Sequence, residues 1–327
     1  MGYDPKIYEQ VRKEFAEARQ AREDEAKARQ AEVEERVPGV REVSRRLASA
    51  GIRIWEESRK GGTPEEMRAR LDALKEENLA LQGEKAKLLE AAGYPAEYPK
   101  LRFACPRCQD TGFYGPPFQQ QMCDCMKEAL CRASVRATGI GALIDTQTFD
   151  NFNTGYYTDV GRAKRNLARC RSFAANPAGN LLLLGATGLG KTHLSSAIAG
   201  VAIAAPYYVV YETAGALFAA FHHEQFGRRS YDDDREDRTA KYFECELLIL
   251  DDLGAEMITN HTISALYLLL NDRINRRAPM VVSTNLSPGE LTERYTDRIA
   301  SRLLGEFDPV IFEGNDIRQL KKRGKTS

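Results

Sequence analysis

Three clusters in this 327-residue chain have the residue types and spacing to do chemistry. The first is GATGLGKTH, Gly185 to His193, which fits the pattern G-x-x-x-x-G-K-[ST]. Gly188 and Gly190 let the backbone curl so that successive N–H groups point at phosphate oxygens, and the helix that follows adds its positive end. In that arrangement Lys191 reaches the β- and γ-phosphates and Thr192 offers an oxygen to Mg2+. The second cluster is LLILDDLGAE, in which Asp251 and Asp252 follow an apolar run. Sheets of α/β proteins bind ligands at the C-terminal ends of their strands. Asp251 is therefore placed to hold the cation through water and Asp252 to orient an attacking water.

The third cluster is CPRCQDTGFYGPPFQQQMCDC, which contains Cys105, Cys108, Cys123 and Cys125. Each short pair can grip one metal, and the loop between the pairs suits a tetrahedral four-cysteine zinc site. Zinc would add folding energy that so short a module cannot draw from its own core. An iron–sulfur cluster fits the same spacing, and Cys131 could stand in as a ligand. No βαβ pattern surrounds Cys105 and Cys108, which argues against a thioredoxin-like pair. Cys170 and Cys245 fall in helix and strand patterns as core residues.

The runs NLLLLG, PYYVVY, ELLILDD, MVVSTN and PVIFEG alternate with helical stretches. Continuous apolar runs bounded by turn residues are strands buried on both faces, hence a parallel sheet covered by helices. The expected fold is an α/β P-loop core with a five-stranded parallel sheet, preceded by an α-helical arm and a small four-cysteine zinc module. Its domains are 1–92 (arm), 93–147 (cysteine module and a linker helix from Met126 to about Ile144) and 148–327 (nucleotide core). Within the arm, breaks fall at Pro38-Gly39 and Gly61-Gly62, and Val40, Val43, Leu47, Ala50 and Ile54 share one helix face. TPEE supplies Thr63 as N-cap, Pro64 at the first helical position and Glu66 to close a capping box. Met67, Leu71, Leu74, Asn78, Leu81 and Leu88 follow a heptad whose seam also takes in Lys85. An antiparallel hairpin, or a seam for a partner or second copy, would use that face.

Lysine plus arginine equals aspartate plus glutamate at 47 each, so any nucleic-acid surface must be a local patch. The charged N-terminus lacks a signal-peptide core, and no apolar run is long and uninterrupted enough to span a bilayer. These features point to a cytoplasmic protein, where clustered cysteines favour metal over disulfides.

MVVSTN ends a buried strand in Ser283-Thr284-Asn285, and YTDRIASRLLGEF carries Arg298 and Arg302 on one helix face. With TFDNF in front and LLILDDLGAE in the middle, residues 148 to 318 resemble the AAA+ core of the DnaC/DnaI-type replicative helicase loaders. The cysteine module resembles that of the Gram-positive members. The resemblance implies that Asn285 senses the γ-phosphate and that Arg302, with Arg298 as runner-up, is an arginine finger for a neighbouring subunit. It also implies that Arg318 closes on the phosphates, Gly185 to Thr192 cradle them, and ATP, Mg2+ and Zn2+ are the cofactors. The implied function is ATP-dependent loading of a DnaB-type hexameric helicase, gripped by the N-terminal arm, onto single-stranded DNA by a homo-oligomer.

Many AAA+ proteins have Asp-Glu where this chain has Asp251-Asp252. The shorter Asp252 positions water less well and slows hydrolysis, with Glu256 as a candidate helper. That makes the expected ATPase a slow nucleotide switch. A transposition-helper ATPase of the IstB type shares the core but typically lacks a cysteine module. A small-molecule kinase would not need a finger supplied in trans, and a zinc-dependent DNA-binding regulator would leave the phosphate site unexplained. FGRRSYDDDRED, with Phe226 and Tyr231 to stack and Arg228 and Arg229 for phosphates, is the candidate DNA segment. The basic KKRGK tail competes with it, and a merely solvated loop is the plain alternative.

Overall fold

The computed structural model describes residues 3–59, 63–226 and 238–323. FGRRSYDDDRED lies outside the described residues except for the backbone of Phe226, as does the end of the KKRGK tail. The chain divides into two compact units, residues 13–111 and residues 1–12 with 112–327.

Helices α1 (Pro5–Arg36), α2 (Val40–Arg59) and α3 (Pro64–Ala91) account for most of the described N-terminal chain. The first break falls at Pro38-Gly39, where Gly39 takes φ 88°, a conformation open to glycine. Thr63 caps α3 as the sequence predicts: its hydroxyl accepts from Glu66 N–H, and the Glu66 carboxylate accepts from Thr63 N–H. Arg46 pairs with Glu84, and Arg53 with Glu77. A step of seven forward along α2 matches seven backward along α3, so the two helices run antiparallel. Lys85 Nζ donates to Gln30 Oε1 at 2.8 Å, which satisfies the polar residue in the seam. Val33, Val37, Val40 and Leu89 form a small core where α1 turns into α2 and α3 ends, at the far end of the α2–α3 hairpin from its connection. The heptad face is therefore spent inside the chain, on a helical hairpin.

In the other unit, β1 (Phe113–Tyr114) and β2 (Gln121–Met122) form a short antiparallel hairpin, followed by α4 (Asp124–Ala137) and α5 (Gly141–Thr146). The single linker helix expected from Met126 to Ile144 is thus two. Thr138 and Gly139 close α4 on Val135 and Arg136 carbonyls, and Gly139 turns the chain at φ 79°.

The nucleotide core then alternates strand and helix. Helix α6 (Val160–Ala175) leads to β3 (Asn180–Leu184), α7 (Lys191–Ala204), β4 (Val209–Thr213), α8 (Ala214–Phe226) and α9 (Ala240–Glu244). Next come β5 (Leu247–Leu253), α10 (Asn260–Asn275) and β6 (Met280–Thr284). The last elements are α11 (Pro288–Tyr295), α12 (Asp297–Gly305), β7 (Asp308–Ile311) and α13 (Ile317–Arg323). All five apolar runs are strands of one parallel sheet, in the order β4-β5-β6-β3-β7. Strands β3 to β6 are buried along nearly their whole length, as a sheet covered on both faces requires. Arg273 of α10 is fully buried and donates to the carbonyls of Tyr242, Cys245 and Pro279, tying together the approaches to β5 and β6. Because β3 lies between β6 and β7, its C-terminal end is the switch point where such sheets open a crevice.

Candidate nucleotide site and thiol cluster

That crevice holds a cavity of about 480 Å3, lined by Thr187 to His193 of GATGLGKTH, while Gly185 and Ala186 do not line it. Glycine is required at two points of the loop by geometry. Gly188 has φ 81° with the Asp316 carboxylate against it, and Gly190 has φ 84° with Tyr157 and Phe152 against it. Leu189 between them is buried, and its carbonyl accepts from Tyr157 Oη at 2.5 Å. Phe149 and Phe152 of TFDNF are also buried, and Phe152 packs edge-on against His193. TFDNF therefore serves as a backing for the loop.

Gly188, Gly190, Lys191 and Thr192 line the cavity together with Asp251, Asp252 and Arg318. Lys191 Nζ donates to Gly185 O at 2.6 Å and Ala186 O at 2.9 Å, so the ammonium lies along the loop. Burial lowers its pKa, while Asp252 and Asp251 oppose that shift. Ile140, Leu143, Phe152 and Tyr156 line the same cavity, an apolar stretch suited to a base beside a polar stretch suited to phosphates.

The acidic pair needs a distortion to work as a pair. In a regular strand Asp251 and Asp252 would face opposite sides of the sheet. One extra residue in β5 between Leu250 and Leu253 makes a bulge against β6, and Asp252 takes φ 59°. The bulge re-aims Asp252, so both carboxylates line one cavity. Asp251 is buried and accepts from Tyr211 Oη at 3.0 Å and from Ser283 Oγ. The same Ser283 hydroxyl accepts from Asp252 N–H at 2.9 Å.

Sequence reasoning assigns no role to Ser283 or Tyr211. Ser283 is two residues before Asn285, but β6 ends at Thr284, so strand alternation does not carry on to Asn285; Tyr211 carries no signal beyond its apolar strand. Asn285 is exposed, with its Oδ1 close to Gly254, and does not line the cavity. Glu256 is held by Tyr295 Oη and Gly254 N–H, also away from the cavity. Arg302 sits on α10: its Nε donates to Asn271 Oδ1 at 2.6 Å and its guanidinium lies 4.5 Å over the Tyr267 ring. Arg298 is exposed, and its carbonyl accepts from Arg302.

Cys105, Cys108, Cys123 and Cys125 offer sulfurs that all lie within 4.8 Å of one another. An all-thiolate zinc tetrahedron with Zn–S of about 2.3 Å has edges of about 3.8 Å, so the donor set fits. Asp110, which carries no signal in the sequence, shapes the first knuckle. Its buried carboxylate accepts from Ala104 N–H, Cys105 N–H and Arg22. Cys131 is outside the cluster, buried beside Tyr3 and bonded to Tyr207 O. Cys170 and Cys245 are buried in the core, and burial pushes the Cys245 thiol up to about 11.

A parallel sheet in this order, with a phosphate-binding loop after β3 at its switch point and an acidic pair at the end of β5, one strand removed across β6, defines a P-loop ATPase core. The pattern of the IstB-like ATP binding proteins matches residues 127–324, more than half of the chain, and the chain belongs to that family. The chain is also 29% identical over 185 residues to the chromosomal replication initiator protein DnaA of Ralstonia pickettii (strain 12J), covering 54% of this chain and 31% of that protein. It thus spans about a third of the length of the curated relatives it matches. Similar solved folds include the DnaC helicase loader (18% identity, TM-score 0.45, 52% of this chain and 98% of that one). Another is DnaI, at 19% identity and TM-score 0.42, with 53% and 93% covered. Among the described residues, no helix is long and apolar enough to cross a membrane.

Proposed function

We propose that this chain is an ATP-dependent loader that delivers a DnaB-type hexameric replicative helicase to single-stranded DNA, acting in the cytoplasm as a homo-oligomer. The observation that carries the proposal is a helical hairpin and a four-thiol cluster set ahead of a nucleotide site in one chain. The likeness to DnaA, a chromosomal replication initiator, supports a place in replication initiation.

In this assignment Gly185, Gly188, Gly190 and Lys191 hold the phosphates, Thr192 and Asp251 hold Mg2+, and Arg318 closes over them. Mg·ATP supplies the polarised γ-phosphoryl group, and the protein contributes position and charge. Asp252 orients water, Asn285 reports the phosphate, and Arg302 serves the neighbouring subunit. Asp252 is a short side chain on an exposed bulge, which suits a slow switch rather than a fast motor. Zinc in the four-cysteine cluster would hold its knuckles closed.

The test is reconstitution of the full chain with the replicative helicase of the same organism. Expected are a complex that forms with ATP and loosens after hydrolysis, and faster helicase entry onto circular single-stranded DNA. The family match favours one other reading, a transposition helper of the IstB type. Binding to a transposase in place of the helicase would decide for it.

A further inference from the structure

Thr192 and Asp251, assigned above to the cation, belong to different elements: Thr192 opens α7, and Asp251 lies in β5. Their separation depends on how the helix and the strand are held together beneath the cavity. The hydroxyl of Tyr211 sits at that joint. Tyr211 belongs to β4, pairs in register with Ile249 of β5, and is 1% exposed. Its Oη donates to Asp251 Oδ2 at 3.0 Å.

Ser195 and Ser196 of α7 flank the same hydroxyl. Their own Oγ atoms are buried. They lie three and four residues after Thr192, one turn along the same helix face. The other oxygen of Asp251 accepts from Ser283 of β6. One hydroxyl from each neighbouring strand thus clamps the carboxylate and fixes its rotation, leaving its remaining lone pairs for the cavity.

We propose that Tyr211 is a positioning residue for the divalent cation, its hydroxyl acting with that of Ser283 to set the Asp251 carboxylate relative to Thr192. This inference rests on the assignment of the cavity to Mg·ATP. A tyrosine phenol, with an ordinary pKa of about 10, is a hydrogen-bond donor at neutral pH. Hydrogen bonds that orient a metal-binding carboxylate typically change metal affinity by about 10–100-fold when removed. A tyrosine that merely filled the core would affect the fold, with no preference for the cation-bound state.

The experiment is a titration of a fluorescent ATP analogue into full-length wild type, Tyr211→Phe and Ser283→Ala, in excess EDTA and across a Mg2+ series. Expected for both variants are an EDTA affinity within about twofold of wild type and a Mg2+ midpoint raised about 10-fold or more. An unchanged midpoint overturns the proposal, as does equal weakening with and without Mg2+. If Tyr211→Phe loses its thermal transition, Ser283→Ala decides by the same comparison. A wild type that binds the analogue but ignores Mg2+ removes the cation assignment, and the inference with it. A wild type that does not bind the analogue removes the nucleotide reading instead.

Discussion

Replacing Gly190 by alanine tests whether the phosphate loop is as tightly backed as its geometry indicates. Gly190 has φ 84°, and a Cβ there would lie 2.9 Å from Tyr157 Oη and 3.1 Å from Phe152 Cε2. Neither neighbour is a loose end: Tyr157 is bonded to Leu189 O, and both rings are buried. The left-handed backbone costs a non-glycine residue about 1–2 kcal/mol, and overpacking adds about 1–3 kcal/mol. Gly190→Ala should therefore lose about 2–5 kcal/mol, or about 4–20 °C in Tm for a unit of this size.

Gly179 is the internal control. It takes φ 74° just ahead of β3, and a Cβ there would meet nothing within 4 Å. Gly179→Ala should cost only the backbone share, about 1–2 kcal/mol. Adding Tyr157→Phe to Gly190→Ala removes the nearest atom and should return about 1 kcal/mol. Calorimetry on the four proteins measures the stabilities, and a fluorescent ATP analogue should bind at least about tenfold more weakly to Gly190→Ala alone. Equal losses for the two single alanines, or full affinity in Gly190→Ala, would refute the close approach.

Lys191→Ala should abolish binding of the analogue. In wild type the affinity should hold near neutral pH and fall as pH rises through the lowered pKa of Lys191, giving a break below the 10.5 of a free lysine; a break at or above 10.5 contradicts that burial effect. Elemental analysis should find about one zinc per chain, and Cys105→Ser should lose it while still binding the analogue; iron, or four freely titrating thiols, would count against zinc. Arg302→Ala should bind nucleotide within about twofold of wild type yet hydrolyse it at least about tenfold more slowly, with activity partly restored on mixing with Lys191→Ala. Oligomers that form without restored activity would place Arg302 in its own subunit, on the Asn271 and Tyr267 perch where it lies in the single chain.

Local chemistry made several features legible in the sequence alone. Thr63, Pro64 and Glu66 specify a helix start because the capping contacts all lie within four residues. The five apolar runs specify buried parallel strands because both of their faces must leave water. Gly188, Gly190, Lys191 and Thr192 announce a phosphate loop because its bonds are made by consecutive backbone groups. Two close cysteine pairs announce a metal-type cluster because each pair spans so little chain. Longer-range geometry was settled only by the tertiary structure. The heptad face of α3 could have served a partner until the Arg46–Glu84 and Arg53–Glu77 pairs showed it turned against α2. Alternation alone would have separated Asp251 from Asp252; the bulge against β6 brings them to one cavity, and a bulge depends on the neighbouring strand. Tyr211 and Ser283 read as ordinary strand residues, since nothing local to either reveals that the sheet order places their hydroxyls on the two oxygens of Asp251. Contacts within a turn of chain are written in the residues themselves, whereas contacts between residues far apart in the chain exist only once the sheet has chosen its neighbours.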